Sequence, residues 1–415
     1  MKKLLLMFAA VGVLFTACNN EPEHIYDDHS ADLVGTWSCL TADYAEVLII
    51  NADGSAVSYG VEDGEYWENV KGTVVTKGGN ITMNFEDNDN LTGHFDIIPQ
   101  QAFSLYEDSG ERYIYQYCEN DLSDEIVGMW VCNETPSAEK NDMLIMTYNA
   151  DGTTLFTGYS YEADVFSNNV EASYKVIGDL LIHKQPDIAV EYGLAQYNAM
   201  RVKYIPNGTA LGDIKTLQAY AKVGENYVET NTTWLRVKQS LDFSHNAKYD
   251  YSSSYVTNVK GKDEDIEFAG TTINFNTLNG EVMDKMLKNI LFSVSFPEEG
   301  KISYNCFFEG GPKSIDAPIK IEGNKMTIEM SKNNAIYRDV DVYAFQDVDG
   351  CQLHMYMPTK SFENFVANVS VVTMAKKGKL DLNDAEAVAG VFTMIEEAIE
   401  SINVSLVMKA ATRAL

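Results

Sequence analysis

Residues 33–39 read Leu-Val-Gly-Thr-Trp-Ser-Cys, and residues 126–132 repeat the pattern as Ile-Val-Gly-Met-Trp-Val-Cys. A second motif follows each copy, because Asn-Ala-Asp-Gly stands at residues 51–54 and again at residues 149–152. Asp-Gly between strand-like runs is a strong hairpin signal, since the turn needs a residue that accepts positive φ. Two motifs that match in sequence and in order indicate an internal duplication.

Each copy continues as short strand-like runs separated by turn residues. Polar and apolar residues alternate, for example, in Ile-Thr-Met-Asn-Phe at residues 81–85. Strands spaced by about 8–12 residues, without helices between them, predict an antiparallel sandwich or barrel. The sequence therefore predicts a mainly β protein, with one β domain at residues 32–121 and a second at residues 125–239.

The Gly-x-Trp opening followed by a meander of strands resembles the lipocalin-like (calycin-like) domains of Bacteroidota lipoproteins. The resemblance covers about residues 32–239 and implies tandem antiparallel lipocalin-like β-barrels, each closed at one end by a tryptophan. Gly35 and Trp37 hold the motif positions in the first copy, and Gly128 and Trp130 hold them in the second. Such domains often carry an arginine on the last strand, so Arg236 is expected to stack on Trp130.

The first copy ends in Tyr-Gln-Tyr-Cys at residues 115–118 and has no such arginine, so its barrel must be closed differently. First and last strands are neighbours in a closed meander, which makes Cys39–Cys118 the candidate disulfide of an exported protein. A buried, reduced role for most of the thiols stays open, because the number of cysteines besides Cys18 is odd. Those cysteines are Cys39, Cys118, Cys132, Cys306 and Cys351.

The pattern changes at about residue 240. Apolar residues at helical spacing follow Asn279, which predicts a helix capped by Asn279 and running through Leu291. Asn383 and Glu386 fit a capping box, which predicts a second helix running through Ile402. With strands on either side of these helices, residues 240–415 are predicted to form an α+β module, a barrel plugged or flanked by helices. This module again resembles calycin-like domains.

The N-terminus resembles a bacterial lipoprotein signal, because a basic start and an apolar run end in Leu-Phe-Thr-Ala-Cys at residues 14–18. We expect residues 1–17 to be a signal peptide, Cys18 to carry the lipid, and residues 18–31 to form an acidic tether. Asn19 after the cysteine favours the outer membrane, with the protein facing either the periplasm or the outside.

Lipidation has two alternatives. Phe15 stands where leucine is usual, so a plain secretory signal stays open. A membrane-spanning anchor is disfavoured, because the apolar run is shorter than the roughly 20 residues that a bilayer requires.

The charge of the chain excludes one class of partner. Its 61 acidic residues outnumber its 31 Lys and Arg residues, and the formal net charge is −30. Such a charge repels nucleic acid and anionic membrane surfaces. The expected membrane contact is therefore the lipid alone, and no nucleic-acid partner is expected.

Motifs for catalysis and for metal binding are absent from the sequence. It contains no Cys-x-x-Cys, no Gly-x-Ser-x-Gly, no His-Glu-x-x-His and no phosphate-binding loop. The oxygen-rich segments at residues 86–90 and 381–386 do not match a calcium loop, and they fit a hairpin tip and a helix cap better. We expect no enzyme, no cofactor and no metal site.

Aromatic residues beside glycines are the candidates for contact with a ligand, since pockets are mostly apolar. The alternative is that these rings simply pack in a filled barrel, because sheets favour tyrosine. The leading hypothesis is a non-enzymatic binding protein for a small apolar, sugar-like or protein ligand. A structural spacer or adhesion protein with filled barrels is the second hypothesis, and a carbohydrate-binding accessory role is the third. The candidate ligand-lining residues are Tyr59, Tyr66, Trp67, Tyr159 and Tyr161.

Overall fold

The computed structural model describes residues 30–41, 44–86, 90–132, 144–160, 165–191, 195–209, 212–223, 226–243, 247–268, 271–308 and 311–411. The expected signal peptide, Cys18 and most of the expected tether lie outside these residues. Within them the protein is mainly β, with few helices, and its strands form closed antiparallel barrels of eight strands each. The predicted fold class is confirmed.

Barrel 1 runs in chain order, and its first strand pairs with its last. A 3-10 helix, Ser30–Leu33, precedes it. Its strands are β1 (Gly35–Leu40), β2 (Tyr44–Ile50), β3 (Ser55–Glu62), β4 (Glu65–Lys77), β5 (Asn80–Phe85), β6 (Asn90–Ile98), β7 (Ala102–Glu107) and β8 (Arg112–Tyr117).

Barrel 2 has the same meander order and closes through pairing of its first and last strands. A short helix, α1 (Asp187–Glu191), lies between its fifth and sixth strands. Its strands are β9 (Gly128–Cys132), β10 (Leu144–Tyr148), β11 (Thr153–Ser160), β12 (Val165–Ile177), β13 (Leu180–Lys184), β14 (Tyr197–Thr209), β15 (Gly212–Val223) and β16 (Asn226–Val237).

The two Asn-Ala-Asp-Gly segments form the predicted turns, between β2 and β3 and between β10 and β11. Asp53 and Asp151 each accept a hydrogen bond at 2.9 Å from the backbone N–H two residues ahead. The glycines that follow, Gly54 and Gly152, have φ of 79° and 84°, a conformation that glycine adopts without steric cost. The hydrogen-bonded hydroxyl and N–H groups of Ser55 and Thr153 lower the pKa of the two carboxyl groups.

Barrel 3 occupies the C-terminal part and combines a closed barrel with helices. Its strand order is β17-β20-β21-β22-β23-β24-β25-β26, so the first strand again lies beside the last, while β18 and β19 form a separate two-stranded sheet. The strands are β17 (Ala247–Gly261), β18 (Asp265–Phe268), β19 (Thr271–Asn274), β20 (Leu291–Phe296), β21 (Lys301–Phe308), β22 (Gly311–Glu322), β23 (Lys325–Ile328), β24 (Val340–Gln346), β25 (Gln352–Met357) and β26 (Ile399–Ala410). The helices are α2 (Gly280–Ile290), α3 (Met330–Asn333), α4 (Thr359–Lys376) and α5 (Ala385–Ala398).

The helices agree only in part with the sequence-based expectations. Asn279 caps α2 as predicted, because its side chain accepts the N–H of Val282 at 3.0 Å. The predicted Asn383 cap is wrong, because Asp384 accepts the N–H groups at the start of α5. That helix also ends at Ala398, and Ile402 lies in β26. Helix α4, the longest of the described helices, has no counterpart in the prediction.

Barrels 2 and 3 are joined by an apolar cluster and by backbone contacts. A β-bridge links Val237 to Asp347, and the N–H of Val348 donates to the carbonyl of Arg236 at 3.2 Å. Burial of an apolar cluster of this kind stabilises the junction. The buried members of the cluster are Val131, Ile145, Leu235, Val237, Phe345, Cys351 and Tyr356.

Candidate functional site

The Gly-x-Trp motif of barrel 1 lies on β1, where the first strand of the barrel pairs with the last. The Trp37 ring is fully buried, and its Nε1 donates to the carbonyl of Leu33 at 2.7 Å. Tyr117 lies opposite Trp37 in the β1–β8 ladder, with the two rings edge to face at 5.1 Å. A Cβ at Gly35, whose φ is 146°, would lie 2.6 Å from the Tyr117 ring. Glycine is therefore required there by both space and backbone conformation.

The second motif repeats this arrangement with an arginine in place of the tyrosine. Trp130 is fully buried, and its Nε1 donates to the carbonyl of Ile126 at 2.7 Å. Arg236 lies opposite Trp130 in the β9–β16 ladder, with its guanidinium carbon 5.9 Å from the centre of the tryptophan ring. The guanidinium also donates to the carbonyl of Val127 at 2.6 Å. A Cβ at Gly128 would lie 3.1 Å from Arg236 Nε.

The two motifs share one arrangement. Tyr117 and Arg236 take equivalent positions in their ladders, each opposite the motif tryptophan. Tyr117 therefore occupies in barrel 1 the position that Arg236 occupies in barrel 2. The motif side chains contact each other and donate hydrogen bonds to backbone carbonyls.

The predicted Cys39–Cys118 disulfide is corrected by the strand register. Cys39 lies opposite Tyr115, whereas the N–H of Cys118 donates to the carbonyl of Thr36 at 2.9 Å. The offset of three residues separates the cysteines by about 10 Å at roughly 3.3 Å per residue. Since a disulfide needs Cα atoms within about 7 Å, no bridge forms, and both residues are buried thiols. The neighbouring strands were inferred correctly, but their register was not visible in the sequence.

The predicted ligand-lining residues in barrel 1 include part of a buried polar network. Glu46, 5% exposed, accepts a hydrogen bond from the Ser58 hydroxyl at 2.5 Å and another from the Tyr115 hydroxyl. The Trp67 indole N–H donates to Ser58 at 2.9 Å. Trp67 therefore belongs to the network around the buried Glu46 side chain and contacts it through Ser58, as buried polar groups need hydrogen-bond partners.

Of the remaining candidates, the structure describes the side chains of two, both in barrel 1. The Tyr59 hydroxyl donates to Asn69 at 3.5 Å, and Tyr66 is half-buried on β4. The backbone of Tyr159 lies in β11, but its side chain is not among those described, and Tyr161 lies outside the described residues.

A cavity with a volume of about 510 Å³ lies in barrel 3. A smaller one of about 160 Å³ lies beside the 3-10 helix of barrel 1. The wall of the larger cavity comes from barrel strands, from the end of α2, and from α4, which we call the roof helix. The apolar members of this wall are Leu287, Ile290, Leu291, Ile315, Ile328, Met330, Val340, Val342, Met355, Met357, Phe365, Val369, Val372 and Leu406.

Side-chain hydrogen bonds fix the roof helix over the barrel. Thr359 at its start donates to the carbonyl of Ile402 on β26 at 3.0 Å. In its middle, Asn368 accepts the N–H of Arg338 at 3.1 Å and donates to the carbonyl of the same residue at 2.8 Å. The Arg338 guanidinium in turn lies 4.4 Å from the ring centre of Phe392 on α5. The cavity is therefore bounded by elements that hold one another in place.

The titratable groups in the apolar wall are neutral at ordinary pH. Burial raises the pKa of the Cys306 thiol to about 12, so the thiol stays protonated and unreactive. Burial also raises the pKa of the Tyr304 and Tyr337 hydroxyls. A wall of this kind favours an apolar ligand and offers no activated nucleophile.

The charged members of the lining are Lys313 on β22, Lys376 at the end of the roof helix, and Lys377 directly after it. All three side chains are exposed. Among the described residues, no aspartate or glutamate lines this cavity. The charged side chains of the lining are therefore all positive, in an otherwise mostly apolar space.

Neither a metal-binding cluster nor a membrane-spanning helix is present among the described residues. They contain no group of three or more His, Cys, Asp or Glu side chains placed to hold a metal ion. No helix among them has the length and apolar character to cross a membrane.

Comparison with known proteins finds only distant likenesses. No protein-family model matches the chain, and no curated protein matches it. A mutant of the vaccine antigen transferrin binding protein B from Haemophilus parasuis Hp5 is 11% identical, with a TM-score of 0.23, over 89% of this chain and 66% of that chain. The isotype 1 transferrin binding protein B from serogroup B Neisseria meningitidis is 8% identical, with a TM-score of 0.20, over 89% and 66%.

A lectin, SapL1 in complex with alpha methyl fucoside, is 9% identical, with a TM-score of 0.12, over 78% of this chain and 92% of the lectin. The chain thus spans just under two thirds of the length of the transferrin binding proteins that it matches. At TM-scores no higher than 0.23 these likenesses carry no argument about what this chain binds.

Proposed function

We propose that the chain is a non-enzymatic, lipid-anchored envelope protein that holds a small apolar ligand inside barrel 3. The observation that carries this proposal is the cavity of about 510 Å³. Its volume falls within the roughly 300–1,000 Å³ of ligand pockets, and its wall is mostly apolar, as such pockets are.

The packing of a barrel interior distinguishes a barrel that can bind a ligand from one that its own side chains fill. Small barrels of about eight strands are often filled by their own side chains. In barrel 1, fully or almost fully buried rings of Trp37, Phe103 and Tyr115 pack together. These contacts favour a spacer role for barrel 1, whereas the open space in barrel 3 favours binding there.

Filling the cavity tests the proposal. We expect the variant Val342→Phe/Val369→Phe to lose affinity for an uncharged fluorescent apolar probe by at least about tenfold, because both residues line the cavity. The new rings occupy empty space, so the fold is expected to survive. Probe titration measures the affinity, and circular dichroism checks the fold.

The matched control is Ile321→Phe, a substitution on β22 at a residue that is 37% exposed and outside the lining. It is expected to bind the probe as the wild type does. If the filled variant keeps its fold and binds the probe at wild-type affinity, the ligand site is elsewhere. Native mass spectrometry of protein purified from its own envelope would then be the way to search for it.

The proposed anchor has a separate test. In Cys18→Ala, no thiol is available for acylation, so we expect the protein to lack acyl chains and to keep its uncleaved signal. Mass measurement of the purified protein reads both properties. Normal processing and continued membrane attachment of this variant would contradict lipidation.

A further inference from the structure

The charges around the cavity run against the composition of the chain. Acidic residues outnumber basic ones by 61 to 31 over the whole sequence. Among the described residues that line the cavity, however, the charged side chains are three lysines, Lys313, Lys376 and Lys377. A random sample of this chain would contain about two acids for each base, so the lining is enriched in positive charge.

Several polar groups in the lining are already engaged with the protein. Both polar atoms of the Asn368 side chain bond to the backbone of Arg338. The Asn333 amide donates to the carbonyl of Asp316 at 2.9 Å, and the Thr373 hydroxyl donates within the roof helix at 2.8 Å. The charged groups of the lining are the three lysines.

A structural explanation accounts for only two of the three lysines. Cations near a helix C-terminus offset the partial charge of about −0.5 there, which suits Lys376 and Lys377 at the end of the roof helix. It does not account for Lys313, which lies on strand β22. Three full positive charges also outweigh the helix-end charge by about sixfold, so the lining as a whole attracts anions.

We propose that the ligand is a single-chain amphiphile with an anionic head group, a long-chain carboxylate. Its chain lies among the apolar residues and its head lies at Lys313, Lys376 and Lys377. This inference rests on the proposed function. Space for about 17 water-sized groups, at roughly 30 Å³ each, is available in a cavity of about 510 Å³. A chain of roughly 12–16 carbons fits that space.

The test compares two ligands that differ only in the head group. Palmitic acid and 1-hexadecanol are each used to displace the uncharged fluorescent probe from the full-length protein at pH 8. The wild type is expected to bind the acid about tenfold more tightly than the alcohol. In the variant Lys313→Gln/Lys376→Gln/Lys377→Gln this preference is expected to disappear, with the affinity for the alcohol unchanged.

The matched control, Lys248→Gln/Lys285→Gln/Lys320→Gln, removes three exposed lysines outside the lining. It is expected to keep the preference for the acid. Because both triple variants lose three positive charges, this comparison separates the effect of the lining from the effect of net charge. If the lining variant also keeps it, or the wild type has none, the head-group inference is overturned while the proposed function stands. If neither compound displaces the probe, the head-group inference fails. If the probe itself does not bind, the proposed function fails as well.

Discussion

Trp37→Ala is expected to lower the free energy of unfolding of barrel 1 by about 3–5 kcal/mol, the range for truncating a fully buried aromatic side chain. The Trp37 ring is 0% exposed and lies edge to face with Phe103 and Tyr117 at 5.0 and 5.1 Å. Its loss leaves a cavity at the end where β1 meets β8, and it leaves the carbonyl of Leu33 without its donor. Urea unfolding of the full chain, with hydrogen exchange read on β1 and β8, measures the loss.

Two comparisons sharpen this experiment. Trp67→Ala removes a half-buried indole on β4 of the same barrel and is expected to cost less. Trp130→Ala removes the equivalent ring of barrel 2, so its effect is expected on β9 and β16. If Trp37→Ala costs no more than Trp67→Ala, the motif tryptophan does not hold the barrel end.

Asp347→Asn is expected to change the pH dependence of stability. The Asp347 carboxylate is 1% exposed, and its Oδ1 accepts the N–H of Gln352 at 2.8 Å. Burial is the largest cause that raises its pKa from 3.8 to about 6, and nearby Asp349 contributes. Between pH 4 and pH 6 the folded protein therefore binds a proton that the unfolded chain lacks, so the free energy of unfolding falls as the pH rises.

A pKa raised from 3.8 to about 6 corresponds to about 3 kcal/mol of stability lost between pH 4 and pH 7. The asparagine variant lacks this loss, so its stability relative to the wild type is expected to be about 2–3 kcal/mol more favourable at pH 7.5 than at pH 4. Comparing the two pH values cancels any fixed cost of the amide. Urea unfolding at both pH values measures the difference.

Asp349→Asn, at an exposed carboxylate, is the control and is expected to give a small difference between the two pH values. Equal results for the two variants would contradict a buried Asp347 with a raised pKa.

The repeat carried most of what could be predicted about the fold. Gly35 and Gly128 mark barrel ends because a Cβ would meet the last strand there, and such close contact requires glycine wherever it occurs. Strand register was out of reach, because Cys39 and Cys118 lie on paired strands in the structure but three positions apart. Pairing of strands follows from their order, whereas register depends on how the two surfaces pack.

The cavity could not be predicted, for a different physical reason. Its wall residues, such as Val342 and Leu406, are buried aliphatic side chains like those of any core. The roof helix was not predicted because consecutive residues along it are buried, including Phe362, Glu363 and all six residues of Val366–Val371. It therefore has no apolar stripe at helical spacing. The three lysines of the lining, in a chain that is otherwise acidic, were the one sequence feature that could have indicated the cavity. Lys313 is, however, distant in sequence from Lys376 and Lys377.

The burial of the roof helix also determines how rarely the helix lifts from the barrel. Lifting the helix would expose Phe362, Val366 and Val371, each 0% exposed, at about 1.5–3 kcal/mol per side chain. A cost above about 4 kcal/mol makes an opened state rarer than about one molecule in a thousand. The roof helix therefore stays in place over the barrel in nearly all molecules at any moment.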